Sequence, residues 1–163
     1  MSATDPLRDE HRALLPLIED IRIAAEAADV ISRSTLVAEI DAVLRFLTGH
    51  LVPHARAEEA ALYPAVERVL GAPGATATMT RDHVEVGRLV EELTAERDAL
   101  AGGAGPDRVR AVQRLLYGLY AVLRLHFAKE EEVYLPLLDA ALTPAEASAM
   151  FAEMNVAAHA AAH

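Results

Sequence analysis

Two segments of the chain share one arrangement of a histidine, two glutamates and a proline, and these residue types can bind metal. The matching positions are His54 and His126, Glu58 and Glu130, Glu59 and Glu131, and Pro64 and Pro136. A spacing of four residues puts a histidine and a glutamate on one face of a helix, on consecutive turns. Imidazole nitrogen and carboxylate oxygen are ligands that iron, manganese and zinc accept in proteins. The repeat therefore predicts two His-x3-Glu pairs that bind metal.

Two further histidines extend the repeat. The shift of 72 residues that relates the two segments also carries His11 onto His83, so each half of the chain reads His, 42 residues, His-x3-Glu. If each half folds as an antiparallel helical hairpin, its two histidines lie at equal distances from the turn and face each other. Buried carboxylates and imidazoles are costly unless a positive charge lies between them. We therefore expect a pair of metal ions to be held by His11, His54, Glu58, His83, His126 and Glu130.

Long helices must position these residues, because Leu, Val and Ile recur at helical spacing between a few turns rich in Gly and Pro. Helices are predicted over about 5–29, from about 33 toward 71, from about 76 toward 101, and from 106 past 136. The second should bend near Pro53 and break or bend again near Pro64, since a proline removes a backbone donor and crowds the preceding turn. Residues 64–70 would then fold across the end of the bundle.

The predicted architecture is all-α, an up-down-up-down antiparallel four-helix bundle in a single domain. The bundle covers about 5–140. Thr143, Pro144 and Glu146 fit a capping box with proline at the first helical position, which predicts a short fifth helix over about 144–157. The Ala-rich end, with His159 and His163, is expected to fray and at most to bind adventitious metal.

Composition limits the classes of partner. The formal net charge of −10 would repel nucleic acid and anionic lipid, so neither is an expected partner. The absence of cysteine excludes disulfides and thiolate-bound metal. The sequence shows neither a leader segment nor a long uncharged apolar run, which predicts a cytoplasmic protein; it leaves the oligomeric state open.

Other residues near the repeat have two interpretations each. Glu59 and Glu131 point about 100° away from their neighbours on the helix and are either solvated or outer partners of the ligands. His50 lies one turn before His54 and is either an extra ligand or a core histidine. Tyr134 follows Glu130 by four residues, so it is expected on the ligand face, bonded to metal or hydrogen-bonded to a bridging carboxylate. Tyr63, nine residues after His54, is expected to point elsewhere.

With this pattern the chain resembles the hemerythrin-like family over about residues 5–138. The resemblance implies a non-haem diiron centre with an oxo or hydroxo bridge. In it, His11 and His54 would hold one iron, His83 and His126 the other, and Glu58 and Glu130 would bridge them. The sequence differs from the oxygen-carrying members, which have a second histidine where Gly87 stands here, and whose last motif ends in Asp five residues after its histidine. It is closer to the branch with two His-x3-Glu motifs, which implies peroxide, nitric oxide, oxygen or iron handling.

Nitrogen and oxygen ligands with bridging carboxylates favour iron over zinc, and manganese suits the same set. Two histidines per ion leave positions for a small ligand such as dioxygen, hydrogen peroxide or nitric oxide. Catalase-like peroxide decomposition is the first functional hypothesis. Non-enzymatic sensing of oxygen or nitric oxide, or iron sensing or storage, is the second, and a structural bundle without metal is the third.

Overall fold

The computed structural model describes residues 2–103 and 105–161, which form five helices and, within those residues, no strand. Helix α1 is Asp5–Ala27, α2 covers 33–70, α3 is Ala77–Ala101, α4 covers 106–141 and α5 is Pro144–Ala161. Helices α1 to α4 form the antiparallel four-helix bundle, in which α1 and α3 each pack against both α2 and α4. The predicted all-α architecture is therefore confirmed.

Local sequence explains where the helices begin and end. Ser32 caps α2 by accepting a hydrogen bond from the backbone N–H of Thr35 at 3.1 Å. Gly71, with φ of 63°, ends the same helix in a left-handed conformation that glycine adopts without strain. At the start of α5, the N–H of Thr143 donates to Glu146 and the N–H of Glu146 donates back to the Thr143 hydroxyl, as the capping box predicts. Helix α5 reaches Ala161, four residues beyond the predicted end; His163 lies outside the described residues.

Three turns of the long helices are π-helical, and each precedes a proline by two residues or fewer. These turns are Leu47–Leu51, Glu58–Leu62 and Glu130–Tyr134, and the prolines that follow them are Pro53, Pro64 and Pro136. In an α-helix, a proline ring clashes with the carbonyl of the residue four positions earlier. At all three prolines that carbonyl lies inside the wider π turn. The chain consequently stays helical through Pro64. The expected break there is wrong, because Tyr63–Leu70 continues α2 directly.

The apolar core consists of two groups of side chains, and the four histidines of the repeat lie between them. One group includes Ile18, Ile40 and Leu93, and the other includes Leu7, Leu62, Met79, Leu138 and, from α5, Met150 and Met154. Burial of these side chains holds the helices at fixed heights relative to one another. Among the described residues, none of the helices is long and apolar enough to cross a membrane.

Candidate metal centre

All six residues of the repeated motif meet inside the bundle. The ligand atoms of His11, His54, Glu58 and Glu130 lie within 4.8 Å of one another and form what we call the first cluster. Those of Glu58, His83 and His126 satisfy the same limit and form the second cluster. Both glutamates are fully buried, although a buried carboxylate is costly without a compensating charge. The clusters share Glu58, so they are adjacent.

Glu58 lies between the two pairs of histidines. Its Oε1 is 2.8 Å from Nε2 of His54 and 3.8 Å from Nε2 of His11. Its Oε2 is 3.3 Å from Nε2 of His83 and 3.7 Å from Nε2 of His126. One oxygen therefore faces each pair, which is the arrangement that a carboxylate needs to bridge two cations.

Glu130 approaches the same two pairs from the other half of the chain. Its Oε2 is 3.5 Å from Nε2 of His11, and its Oε1 is 3.5 Å from Nε2 of His126. The two carboxylates and the four Nε2 atoms thus surround one small volume, with only nitrogen and oxygen donors facing it.

Each of the four histidines is oriented by a carboxylate on its other ring nitrogen. Nδ1 of His11 donates to Glu131 at 2.7 Å, and Nδ1 of His83 donates to Glu59 at 2.7 Å. Glu59 and Glu131 are thus outer partners of histidines on neighbouring helices. A hydrogen bond from Nδ1 leaves the lone pair on Nε2, which is the tautomer that binds metal.

The remaining two partners were not predicted. Nδ1 of His54 donates to Glu10 at 3.0 Å, and Nδ1 of His126 donates to Asp82 at 3.1 Å. A signal for them exists in the sequence, because the shift of 72 residues carries Glu10 onto Asp82, each directly before the first histidine of its half. The supporting carboxylates are therefore duplicated together with the histidines.

The pKa values within the centre reflect crowded charges in a buried space. Burial alone would raise the pKa of Glu58, but the facing imidazoles, first that of His54, hold it well below the ordinary value. Burial and the negative charge of Glu58 raise the pKa of Glu130 well above its usual range. Burial opposes charge on His54 and His83, yet the carboxylates around them raise both pKa values. A cation that enters must therefore displace protons.

Tyr63 belongs to the centre, contrary to the expectation that it points elsewhere. Its side chain is buried, and its hydroxyl donates to Oε1 of Glu130 at 3.1 Å. The hydroxyl oxygen of Tyr63 also lies 3.3 Å from Nε2 of both His83 and His126, and 3.4 Å from Oε2 of Glu58. The π turn Glu58–Leu62 explains this, because its extra residue turns position nine after His54 toward the ligands.

The same π geometry in the second half removes the basis for placing Tyr134 beside the ligands. The expectation assumed uniform α-helical turns, but Glu130–Tyr134 is itself a π turn. Tyr134 is partly buried and packs against the apolar cluster that contains Leu62 and Leu138. Among the described residues, the phenol that hydrogen-bonds the centre is that of Tyr63.

Among the described residues, the two histidines that belong to neither cluster, His50 and His159, lie at the surface. His50 is exposed within the π turn Leu47–Leu51, and its ring stacks beside Phe46 with centroids 6.4 Å apart. The interpretation of His50 as a core histidine is therefore wrong, and neither cluster includes it. His159 is exposed on α5, where its Nδ1 donates to the carbonyl of Asn155.

Access to the two clusters differs. Phe127 covers the first cluster: its ring stacks on His54 at a centroid distance of 5.6 Å and lies edge-on to His11 at 4.5 Å. A cavity of about 350 Å³ opens beside the centre, and its wall contains all three residues of the second cluster, Glu58, His83 and His126, together with His54 of the first. His83 is 13% exposed, whereas the other three histidines are 1–4% exposed. A small molecule can therefore reach the second cluster more readily.

Gly87 lies in the wall of this cavity, one turn after His83. A Cβ atom at this position would meet nothing within 4 Å, so the glycine borders open space. The position that the resemblance singled out therefore faces the cavity beside the second cluster.

Comparison with known families gives one match. The model described as the hemerythrin HHE cation-binding domain matches residues 2–138, which include all six clustered residues. Comparison with curated proteins and with solved structures gave no match.

Proposed function

Because the chain belongs to the hemerythrin HHE cation-binding family, we propose that it holds two iron ions and decomposes hydrogen peroxide. The proposed ligands are His11, His54, Glu58, His83, His126 and Glu130. The observation that supports it best is the pair of clusters that share Glu58, each with two imidazole Nε2 atoms directed at a carboxylate oxygen. Such a donor set, without thiolate, suits iron or manganese.

The unsatisfied atoms of the centre fit a bound cation. Nε2 of His11 and of His54, Oε1 of Glu58 and Oε2 of Glu130 are buried and have no hydrogen-bond partner among the described residues. A buried polar atom without a partner costs roughly 1–3 kcal/mol, and these four face one another. Cations between them would satisfy the whole group.

The donors divide into two sets in this proposal. His11 and His54 would hold one ion, His83 and His126 the other, and Glu58 and Glu130 would bind both. The hydroxyl of Tyr63, within 3.4 Å of four donor atoms around the second cluster, would add an oxygen donor there. Iron in these positions would supply two-electron redox chemistry and open coordination positions for a peroxide.

The protein's own residues control orientation, water and protons. The carboxylates of Glu10, Glu59, Asp82 and Glu131 hold the imidazoles in the tautomer that presents Nε2. Phe127 shields one side of His11 and His54, while the cavity, whose wall contains all three residues of the second cluster, would admit a small ligand there. Without metal, Tyr63 keeps a proton on its hydroxyl next to Glu130, because burial and the nearby carboxylates raise its pKa.

The test is metal analysis followed by oxygen release from hydrogen peroxide. Protein loaded separately with iron and with manganese should bind two ions per chain, and the iron form should release oxygen. The matched control is His159→Ala, which removes an exposed histidine that belongs to neither cluster. This variant should change neither the metal content nor the rate of oxygen release. If the iron-loaded protein releases no oxygen but its visible spectrum changes with nitric oxide or dioxygen, a binding or sensing role replaces the enzymatic one.

A further inference from the structure

The cavity beside the second cluster exists because small residues replace large ones at related positions of the repeat. Ala55 lines the cavity, and its counterpart after the shift of 72 residues is Phe127, which covers the first cluster. Gly87 lines the cavity as well, and its counterpart in the first half is Leu15. Phe127 thus packs on His11 and His54 of the first cluster, whereas the equivalent position beside the second cluster holds a small residue.

A third position follows the same rule. Thr80 lies in the cavity wall, whereas its counterpart Arg8 donates to Glu131 at 2.7 Å and closes the surface near His11. At all three positions in the cavity wall, the residue is smaller than its counterpart in the other half. This agreement indicates that the cavity is a specific feature of the second half and not a result of loose packing.

The space is larger than hydrogen peroxide requires. A water molecule occupies roughly 30 Å³ of liquid, and hydrogen peroxide is little larger. A volume of about 350 Å³ falls instead in the range of sites for small organic ligands, roughly 300–1,000 Å³. The wall is largely apolar, with Leu47, Leu51, Val86, Val90, Leu123 and Phe127, and its polar side chains include the donors of the second cluster and His54.

We propose, on the basis of the peroxide chemistry above, that this cavity binds an uncharged organic hydroperoxide. The apolar group occupies the space between Ala55, Gly87 and Leu123, and the oxygen end is directed at Glu58, His83 and His126. In a single turnover the O–O bond breaks and ROOH takes up two electrons and two protons, giving the alcohol ROH and water. Two bound ferrous ions would supply these two electrons on oxidation to the ferric state, and solvent would supply the protons.

The first measurement separates binding from chemistry. Calorimetric titration of the iron-loaded protein with 2-phenyl-2-propanol, the alcohol formed from cumene hydroperoxide, should show saturable binding. Ala55→Phe and Gly87→Leu install the residues of the closed half and should weaken this binding about tenfold or more, as loss of a shaped apolar pocket does. Gly49→Leu is the matched control, because a side chain at position 49 meets open space outside the cavity wall.

The second measurement compares two peroxides on the same proteins. The ratio of cumene hydroperoxide reduction to hydrogen peroxide decomposition should fall about tenfold in Ala55→Phe and in Gly87→Leu, because hydrogen peroxide needs little of the cavity. Absence of alcohol binding, or an unchanged ratio in both variants with intact folding by circular dichroism, would overturn the inference while leaving peroxide decomposition standing. Alcohol binding without turnover of either peroxide would overturn the proposed function and the hydroperoxide assignment together.

Discussion

The two halves of the bundle have equivalent ligands but different surroundings. In both halves the histidines face the same carboxylates, and every imidazole has its own carboxylate partner. Around them, Phe127 packs on both histidines of the first cluster, whereas Ala55, its counterpart, lines a cavity beside the second. Tyr63 approaches the second cluster, and its counterpart after the shift of 72 residues is Leu135. Under the proposed function, the shared part of the repeat would bind the two metal ions, and the differences would decide which ion meets an external ligand.

The largest expected effect tests whether both halves bind metal. His54→Ala removes a donor of the first cluster and His126→Ala one of the second, and each change also removes one of the four imidazoles that face Glu58. We expect each variant to lose at least half of its iron, measured by elemental analysis after dialysis. His50→Ala, which removes an exposed histidine on the same helix as His54, should retain full iron. Full iron in both cluster variants would contradict the assignment.

Acid should weaken metal binding at both clusters. The pKa of His54 in the first cluster and that of His83 in the second are raised, as is that of shared Glu130. Groups with raised pKa values keep their protons to higher pH than usual, so a metal ion must displace those protons, and affinity rises with pH until the pH exceeds the raised values. For each displaced proton, the dissociation constant of the metal should increase roughly tenfold when the pH falls by one unit. Competition with a chelator between pH 8 and pH 6 measures this, and a flat profile would be evidence against binding at these groups.

Tyr63 provides a test of the difference between the halves. Tyr63→Phe keeps the ring and removes the oxygen that lies 3.1 Å from Glu130, so packing should persist while one contact is lost. If the hydroxyl binds iron, a phenolate charge-transfer band disappears and iron affinity falls about tenfold, or roughly 1.4 kcal/mol. Tyr134→Phe is the matched control, since its ring packs in the apolar cluster. Loss of the band in Tyr134→Phe but not in Tyr63→Phe would restore the sequence-based assignment.

Helical periodicity and the internal repeat were sufficient to predict the bundle and to bring the six donors together. Apolar spacing is averaged over many turns, so a single irregular turn does not change the predicted helix. That same averaging hid the π turn Glu58–Leu62. The extra residue of a π turn rotates all later side chains about the helix axis, so the direction of Tyr63 was predicted wrongly. A proline six residues after Glu58 and again six after Glu130 was the local signal for both turns. The prediction took Pro64 as a place where the helix breaks or bends, and not as the sign of a π turn.

The carboxylate partners and the cavity were hidden for another reason. Glu10 and Asp82 resemble ordinary surface acids until their contacts across helices are known, and only the repeat marks them. A cavity depends on the summed volumes of side chains from several helices, which no single helical pattern specifies. The pairs Ala55 with Phe127 and Gly87 with Leu15 become informative once both clusters are located.

The smallest expected effect concerns why position 87 is glycine. Gly87 lies within α3, and only Gly71, Gly74 and Gly103 have positive φ among the glycines of the described residues, so its backbone does not require glycine. A Cβ atom would meet nothing within 4 Å, and alanine in an exposed helix interior is more favourable by up to about 1 kcal/mol. Gly87→Ala should therefore raise the free energy of unfolding of the metal-free protein by up to that amount in urea titration. A single methyl group occupies little of the cavity, so alcohol binding should change less than in Gly87→Leu. If Gly87→Ala instead destabilises the metal-free protein, the glycine serves the packing of α3, and the contrast with Leu15 is not evidence for a built cavity.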